Sequence, residues 1–325
     1  MSSENRITAR FVVPPDLSDR RLDQAAAALM PGHSRSRLQG WIKDGTLTVN
    51  GEARKPRDKV ILDDVIELDA EPEVQVSWEA EDIELDIVYE DEHLMVINKP
   101  AGLVVHPAAG HAAGTLVNAV LSYAPEVENL PRAGIVHRLD KDTSGIMVVA
   151  RSLIAHTSLV DQLQTRTMGR EYDAVVVGTL TGGATIDAPI GRHPRERKKM
   201  AVVSSGKPAV THYRLVERFA AHTHIRCKLE SGRTHQIRVH MAHVKHPLVG
   251  DQLYGGRMRL PKGSTEELRE VLSGFNRQAL HARQLTLEHP ETGEVLTWEV
   301  PLPEDMVHLI EALRKHVREL ESDDF

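Results

Sequence analysis

Residues 134–150 read GIVHRLDKDTSGIMVVA. His137, Arg138, Asp140, Lys141 and Asp142 place five ionisable residues in six consecutive positions. Apolar pieces enclose them, Ile135 and Val136 on one side and IMVVA, residues 146–150, on the other. A short, continuous, β-branched run such as IMVVA predicts a buried strand. Gly134 and Gly145 permit tight backbone where the apolar pieces turn. A lone aspartate in a loop is usually a turn cap. Five ionisable residues hemmed in by core strands point instead to a functional loop carried by a rigid sheet.

Working outward, HLMVINKP, residues 93–100, predicts a strand stopped by Pro100. GTLVNAVLSY, residues 114–123, and SLIAHTSLVDQLQ, residues 152–164, predict helices. EYDAVVVGTL (171–180), AVTHYRLVERF (209–219) and HTHIRCKLESG (222–232) have strand composition. LTLEH (285–289), the turn PETGE (290–294) and VLTWEV (295–300) predict a late hairpin, and DMVHLIEALRKHVREL (305–320) a closing helix. Strands with a few interspersed helices indicate an α+β fold, not a regular βαβ alternation. The chain shows no internal repeat and no low-complexity tract.

The first part of the chain is a separate unit, residues 18–75. Leu22, Ala25, Ala26 and Leu29 recur at helical spacing, and Pro31-Gly32 ends that helix. Ser34 is a suitable N-cap for a second helix running to Lys43, with Gly45 at its end. TLTV (46–49), the turn Asn50-Gly51 and the polar segment after it predict a hairpin, and VILDDVIEL (60–68) a further strand. Between residues 33 and 59 stand seven Lys or Arg against three acids. SRSRLQGWIKDGTLTVNG, residues 34–51, resembles the αL RNA-binding domain first described in a small-subunit ribosomal protein. The resemblance implies that Arg35, Arg37, Lys43, Arg54 and Lys55 face structured RNA.

The 325 residues suit two domains, and 41% hydrophobic with 27% charged residues is ordinary for a globular chain. The net charge is −7, but residues 60–92 hold 14 acids and no Lys or Arg, which leaves +7 on the remainder. RNA affinity depends on local basic surface, so the total does not exclude a nucleic-acid partner. Residues 76–84 read as an acidic linker turned away from RNA. Cys227 is the single cysteine, which excludes an internal disulfide and a thiolate zinc cluster and suits a buried apolar position. No signal core and no apolar run of ~20 residues occurs, so no membrane association is expected. The expectation is a cytoplasmic protein in which nothing demands more than a monomer.

A second charged segment, SGRTHQIRVHMAHVKHPLVGD (231–251), is rich in Arg and His. His235, His240 and His243 lie five and three apart, which does not match the His-Glu-x-x-His zinc pattern, so no metal is expected. Arg233 and Arg238 are better suited to neutralise carboxylate or phosphate. His243 and His246 read as partly buried helix residues. No phosphate loop, dinucleotide fingerprint or nucleophile elbow is present, and no cofactor is expected.

Together NKPAGLVVHP (98–107), HRLDKDTSG (137–145), REYDA (170–174) and GRTHQIRVH (232–240) resemble the RluA/RluD family of pseudouridine synthases. The likeness covers nearly the whole chain. The stretches HPRERKKMAV, GKPAVTHYR and HPLVGDQLYGG are most similar to the RluD branch. The resemblance implies a mixed, largely antiparallel catalytic sheet over residues 85–325 behind the αL domain. It implies isomerisation of uridines to pseudouridine in a stem-loop of large-subunit (23S) ribosomal RNA, free or in the large ribosomal subunit or its precursor. Asp140 is then the catalytic carboxylate, Arg233 its guanidinium partner and Tyr172 the active-site tyrosine. Ile237 packs against the base, and Arg138 contacts RNA beside the flipped nucleotide.

The reaction breaks the bond from uracil N1 to ribose C1′, turns the base and joins C5 to C1′. No atom is gained or lost, so no cofactor is required. The carboxylate can attack C1′ or remove the 2′ proton. The target must leave its stack, at ~a few kcal/mol. Arg192, Arg195, Arg197, Lys198 and Lys199 are placed to hold phosphates meanwhile. Rival readings are a non-catalytic RNA-binding assembly factor, the same chemistry on transfer RNA, and a nucleoside hydrolase releasing free uracil.

Overall fold

The computed structural model describes residues 7–31, 33, 35–70, 78–106, 113–196, 198–258 and 260–323. The chain divides into two compact units, Met1–Ser77 and Trp78–Phe325.

The first unit packs two helices on a small antiparallel sheet. Strand β1 (Ile7–Val12) is followed by α1 (Leu22–Leu29), α2 (Arg35–Asp44), β2 (Leu47–Val49) and β3 (Val65–Ala70). The sheet order is β1-β3-β2. Leu22, Ala25 and Ala26 of α1 pack with Leu38, Trp41 and Ile42 of α2 over Leu47, Val49, Ile66 and Leu68. The helical spacing read in the sequence is therefore the core stripe. β1 lies ahead of residue 18, where the sequence reading begins the unit; its alternating burial belongs to a strand with one face covered. Pro31 is described, whereas Gly32 and the N-cap expected at Ser34 lie outside the described residues.

The expected hairpin after Asn50-Gly51 is corrected. Asn50 and Gly51 have φ of 54° and 77°, as a tight two-residue turn needs, and Val49 bridges Glu52. No strand continues, because Arg54 and Lys55 lead into Pro56, which cannot donate to a ladder. β2 pairs instead with β3, and the Asn50 side chain accepts from Val65 N at 2.8 Å and donates to Asp64 at 2.7 Å.

In the second unit the acidic segment is less of a linker than the sequence suggests. Glu81 N donates to Asn118 O at 3.0 Å, the Glu81 carboxylate accepts from Gly114 N at 2.8 Å, and Trp78 packs on the core. Residues 71–77 lie outside the described residues. The elements that follow are β4 (Ile87–Glu90), β5 (Leu94–Lys99), α3 (Leu116–Tyr123), β6 (Ser144–Ala150), α4 (Leu153–Thr165), β7 (Gly169–Val177), β8 (Ala184–Asp187), β9 (Ile190–Arg192) and β10 (Met200–Val202). Then come β11 (Val210–Arg218), β12 (His222–Leu229), α5 (Gln236–His243), α6 (Glu266–Gly274), β13 (Leu280–Glu288), β14 (Val295–Glu299) and α7 (Glu304–Asp323).

The main sheet runs β4-β5-β6-β13-β7-β12-β11-β8, with β14 also on β13. Only the pairing of β6 with β13 is parallel among the described ladders, so the sheet is mixed and largely antiparallel. β6 is buried at every position. Its parallel contact is close: Gly145 has φ of 116°, and a Cβ there would lie 2.2 Å from Ala282 O, so only glycine fits. Gln162 ties α4 to the sheet, donating to Glu288 O at 2.7 Å and accepting from Glu288 N at 2.9 Å. No helix among the described residues is long and apolar enough to cross a membrane.

Candidate active site

The charged loop before β6 opens into a cavity of about 600 Å³ lined also by α4, β7 and the start of α5. Leu139 is buried, which anchors the loop and turns its neighbours outward: Arg138 is exposed and Asp140 is half-buried. Thr143 N donates to Asp140 O at 3.1 Å and closes the turn. Beneath it Lys99 is wholly enclosed. Its ammonium donates to Pro100 O, Leu103 O and Lys141 O at 2.8, 2.9 and 3.0 Å. Burial pushes Lys99 down to about 8, against the pull of Asp142 and Asp140. Gly102 N also donates to Lys141 O, at 2.9 Å. The NKPAG segment thus holds the loop from below.

Asp140 Oδ2 accepts from Arg238 Nη1 at 2.9 Å. Arg238 gives Nε and Nη2 to the buried Asp251, at 2.7 and 2.9 Å. Asp251 in turn accepts from the backbone of Leu253 and Tyr254 at 2.9 and 3.0 Å. The guanidinium lies over the Tyr254 ring, 5.0 Å from its centre. Burial opposes its charge, but Asp251 and Asp140 hold its pKa above the usual arginine range. A fork with two teeth in one carboxylate and the third nitrogen on another is a rigid mount.

The expectation that Arg233 is the partner of Asp140 is therefore corrected. Arg233 stands before α5 and donates its Nε to Pro208 O at 3.1 Å, whereas Arg238 sits within α5 and is 8% exposed. His235 starts α5 from a left-handed conformation, φ 57°, and its Nε2 lies 3.8 Å from Asp140 Oδ1. Its Nδ1 shares a hydrogen bond of 2.8 Å with Tyr254. Tyr254 also accepts from Met200 N at 2.9 Å, which ties the β9–β10 hairpin to the site.

Tyr172 and Ile237 both line the cavity and are 6% and 3% exposed. Burial raises the Tyr172 phenol, with Arg170 opposing. His137 accepts from Val148 N at 3.1 Å, and burial, helped by Arg170, pushes it down to about 3, so it is a neutral structural acceptor. His240 is enclosed between Thr211 and Ala188 O, each at 2.9 Å. His243 is exposed, not partly buried, and His246 lies beyond the helix, its Nδ1 2.9 Å from Val177 O. Among the described residues no group of three or more His, Cys, Asp or Glu is arranged to hold a metal.

The basic residues expected on RNA differ in their freedom. Arg35 is half exposed but pairs with the buried Asp23 at 2.9 Å, and Arg37 lies over Trp41 at 4.8 Å. Lys43, Lys55, Arg192, Arg195 and Lys198 are exposed, Arg54 is half-buried, and Lys199 pairs with Glu196 at 2.7 Å. Arg197 lies outside the described residues.

The model of an RNA pseudouridylate synthase family matches residues 93–243, and that of the S4 domain matches residues 20–66. A protein of Pseudomonas aeruginosa named ribosomal large subunit pseudouridine synthase D is 62% identical over 303 residues, 93% of this chain and 95% of that one. The chain belongs to the RluA/RluD family of pseudouridine synthases, in its RluD branch. A protein of the same name from Yersinia pestis is 56% identical over 92% of each chain. Among solved structures, human RNA pseudouridylate synthase domain containing 4 is 28% identical, with a TM-score of 0.56 over 70% of this chain and 92% of that one. The mixed sheet is thus the pseudouridine synthase sheet, with an S4 unit ahead of it. The matched span takes in Asp140, Tyr172 and Arg238 but stops short of Asp251 and β13, which only the tertiary structure brings to the synthase site.

Proposed function

We propose that this pseudouridine synthase isomerises uridines in a stem-loop of large-subunit (23S) ribosomal RNA, with Asp140 as the catalytic carboxylate. The carrying observation is the mounting of Asp140: an aspartate at a cavity wall, held by Arg238 and backed by Asp251. Either route needs a carboxylate fixed within contact of the ribose, by attack on C1′ or by removal of the 2′ proton.

The cavity suits one flipped nucleotide in size, and its inner wall is apolar where the base belongs, at Ile237, Leu139 and Leu280. Tyr172 stacks on the uracil and stands ready to help remove the C5 proton. Enclosure keeps water from trapping the sugar cation, which would release free uracil. Arg138, exposed at the cavity edge, takes the phosphate beside the flipped residue, and Arg233 acts with it. The S4 unit, through Lys43, Arg54 and Lys55, and the hairpin residues Arg195 and Lys198 hold the flanking RNA. A ribosomal RNA substrate fits a cytoplasmic reaction, and the reading needs no group from a second chain, which fits a monomer.

Large-subunit ribosomal RNA carrying tritium at uridine C5 tests the reading, because C5 loses its hydrogen when it bonds the sugar. The wild type releases tritium and Asp140→Asn does not. RNA binding with no release by the wild type would move the protein to the assembly-factor reading. Release by both would remove Asp140 from the centre of the chemistry.

A further inference from the structure

Arg170 lies two residues before Tyr172 on β7 and so projects from the same face of the strand. It lines the same cavity and is 7% exposed. Its Nε is enclosed with no partner, and no ion pair or hydrogen bond reaches the guanidinium from any described residue. Gly232 leaves it space: a Cβ there would come within 2.6 Å of Arg170 Nη1. Arg238, equally buried, is bonded on three sides to two carboxylates.

Among the described residues six arginines but only two acids line the cavity. Both acids are committed elsewhere, Asp140 to Arg238 and Glu230 to Arg166 and His212. A guanidinium whose Nε is enclosed, with no counter-charge beside it among the described residues, is unfavourable. The structure therefore holds a cation whose partner must arrive with the substrate.

A phosphate would meet exposed arginines such as Arg138 at the cavity edge. Arg170 is enclosed beside the tyrosine assigned to the base. Granting the isomerase reading, breakage of the C1′–N1 bond leaves its electron pair on the base, whether the carboxylate bonds C1′ or takes the 2′ proton. The detached uracil is an anion in either case. It turns and C5 bonds C1′ as the carboxylate leaves C1′ or returns the proton to C2′; the C5 proton then leaves and N1 gains a proton. We infer that Arg170 is a catalytic residue, the counter-ion of the detached uracil anion, holding it through its turn in the cavity. A preorganised charge aimed at where negative charge develops acts on the rate and not on ground-state binding.

The test uses Arg170→Met and Arg170→Lys in the full chain, with C5-tritiated large-subunit RNA under single-turnover conditions at saturating enzyme. Dissociation constants for the RNA and melting temperatures are measured in parallel. The Met variant is expected to lose about 100-fold in rate with its Kd unchanged, the scale of removing one preorganised charge donor. The Lys variant keeps the charge but not the fork, and falls about tenfold. A folded Met variant at the wild-type rate would overturn the inference. So would a weakened Kd with an unchanged rate, which assigns Arg170 to a phosphate. If the Met variant does not fold, the Lys variant decides: a lower rate at unchanged Kd supports the inference, and an unchanged rate overturns it. A wild type that releases no tritium defeats the isomerase reading itself, which is distinguishable from a wild type that works and an Arg170 variant that works as well.

Discussion

Arg238 reaches Asp140 with one nitrogen, at 2.9 Å, while its other two are taken by the buried Asp251 at 2.7 and 2.9 Å. Asp251 therefore aims the guanidinium, and the guanidinium aims the carboxylate. Asp251→Asn weakens that aim without removing any group that touches RNA. The expected result is a single-turnover rate lower by about 10- to 100-fold, the penalty of a small misplacement, with RNA affinity retained. An equal loss in affinity would show that Asp251 serves binding instead.

Arg233 and Arg238 have separate tasks on this geometry. Arg233→Ala weakens RNA binding and flattens its dependence on salt by about one phosphate contact, leaving the saturated rate intact. Arg238→Ala abolishes turnover. Titration of KM against salt for each variant separates the two, and a collapse of the saturated rate in Arg233→Ala would return it to the site's centre.

Lys99 stabilises the loop from below through three carbonyls. Lys99→Met keeps the volume but leaves Pro100 O and Leu103 O enclosed and unpaired, at about 1–3 kcal/mol each where water cannot enter, while Lys141 O keeps the Gly102 N–H. A loss of several kcal/mol in denaturant unfolding is expected. A loss below about 1 kcal/mol would show that water replaces the ammonium.

His222 is 2% exposed, and burial, reinforced by His316, pushes it down to about 4 from an ordinary 6.5. The folded state then binds fewer protons than the unfolded chain between these values, so stability rises with pH across the window. The contribution is complete above about pH 6.5 and is lost as pH falls through 4, on the order of 3 kcal/mol in all. His222→Phe, read by urea midpoints from pH 4 to 7, should show a shallower slope than the wild type; an identical slope places the acid sensitivity elsewhere.

Much of the fold is legible in the residues. The run IMVVA, the helical stripe Leu22, Ala25 and Ala26, and the late hairpin each carry their own period, and the structure places them as strand β6, helix α1 and strands β13 and β14. The Asn50-Gly51 turn is also local, and its backbone follows the residues. The strand that answers β2 is not local: it is β3, beyond a polar segment, and pairing at that distance leaves no mark in spacing.

At the site, the sequence by itself determined which loop carries the charge and which residue types surround it, since five ionisable residues between apolar runs can be read without a fold. The choice between Arg233 and Arg238 belonged to the tertiary structure. Residues 236–241 of α5 are buried throughout, so no amphipathic stripe marks the side that faces Asp140. The direction of Arg238 is set where the left-handed His235 starts the helix and by Asp251, which lies after it in the chain. Arg170 escaped the sequence reading for a related reason: an arginine on a strand looks solvated until the packing of Gly232 and the commitment of Glu230 elsewhere show it enclosed and unpaired.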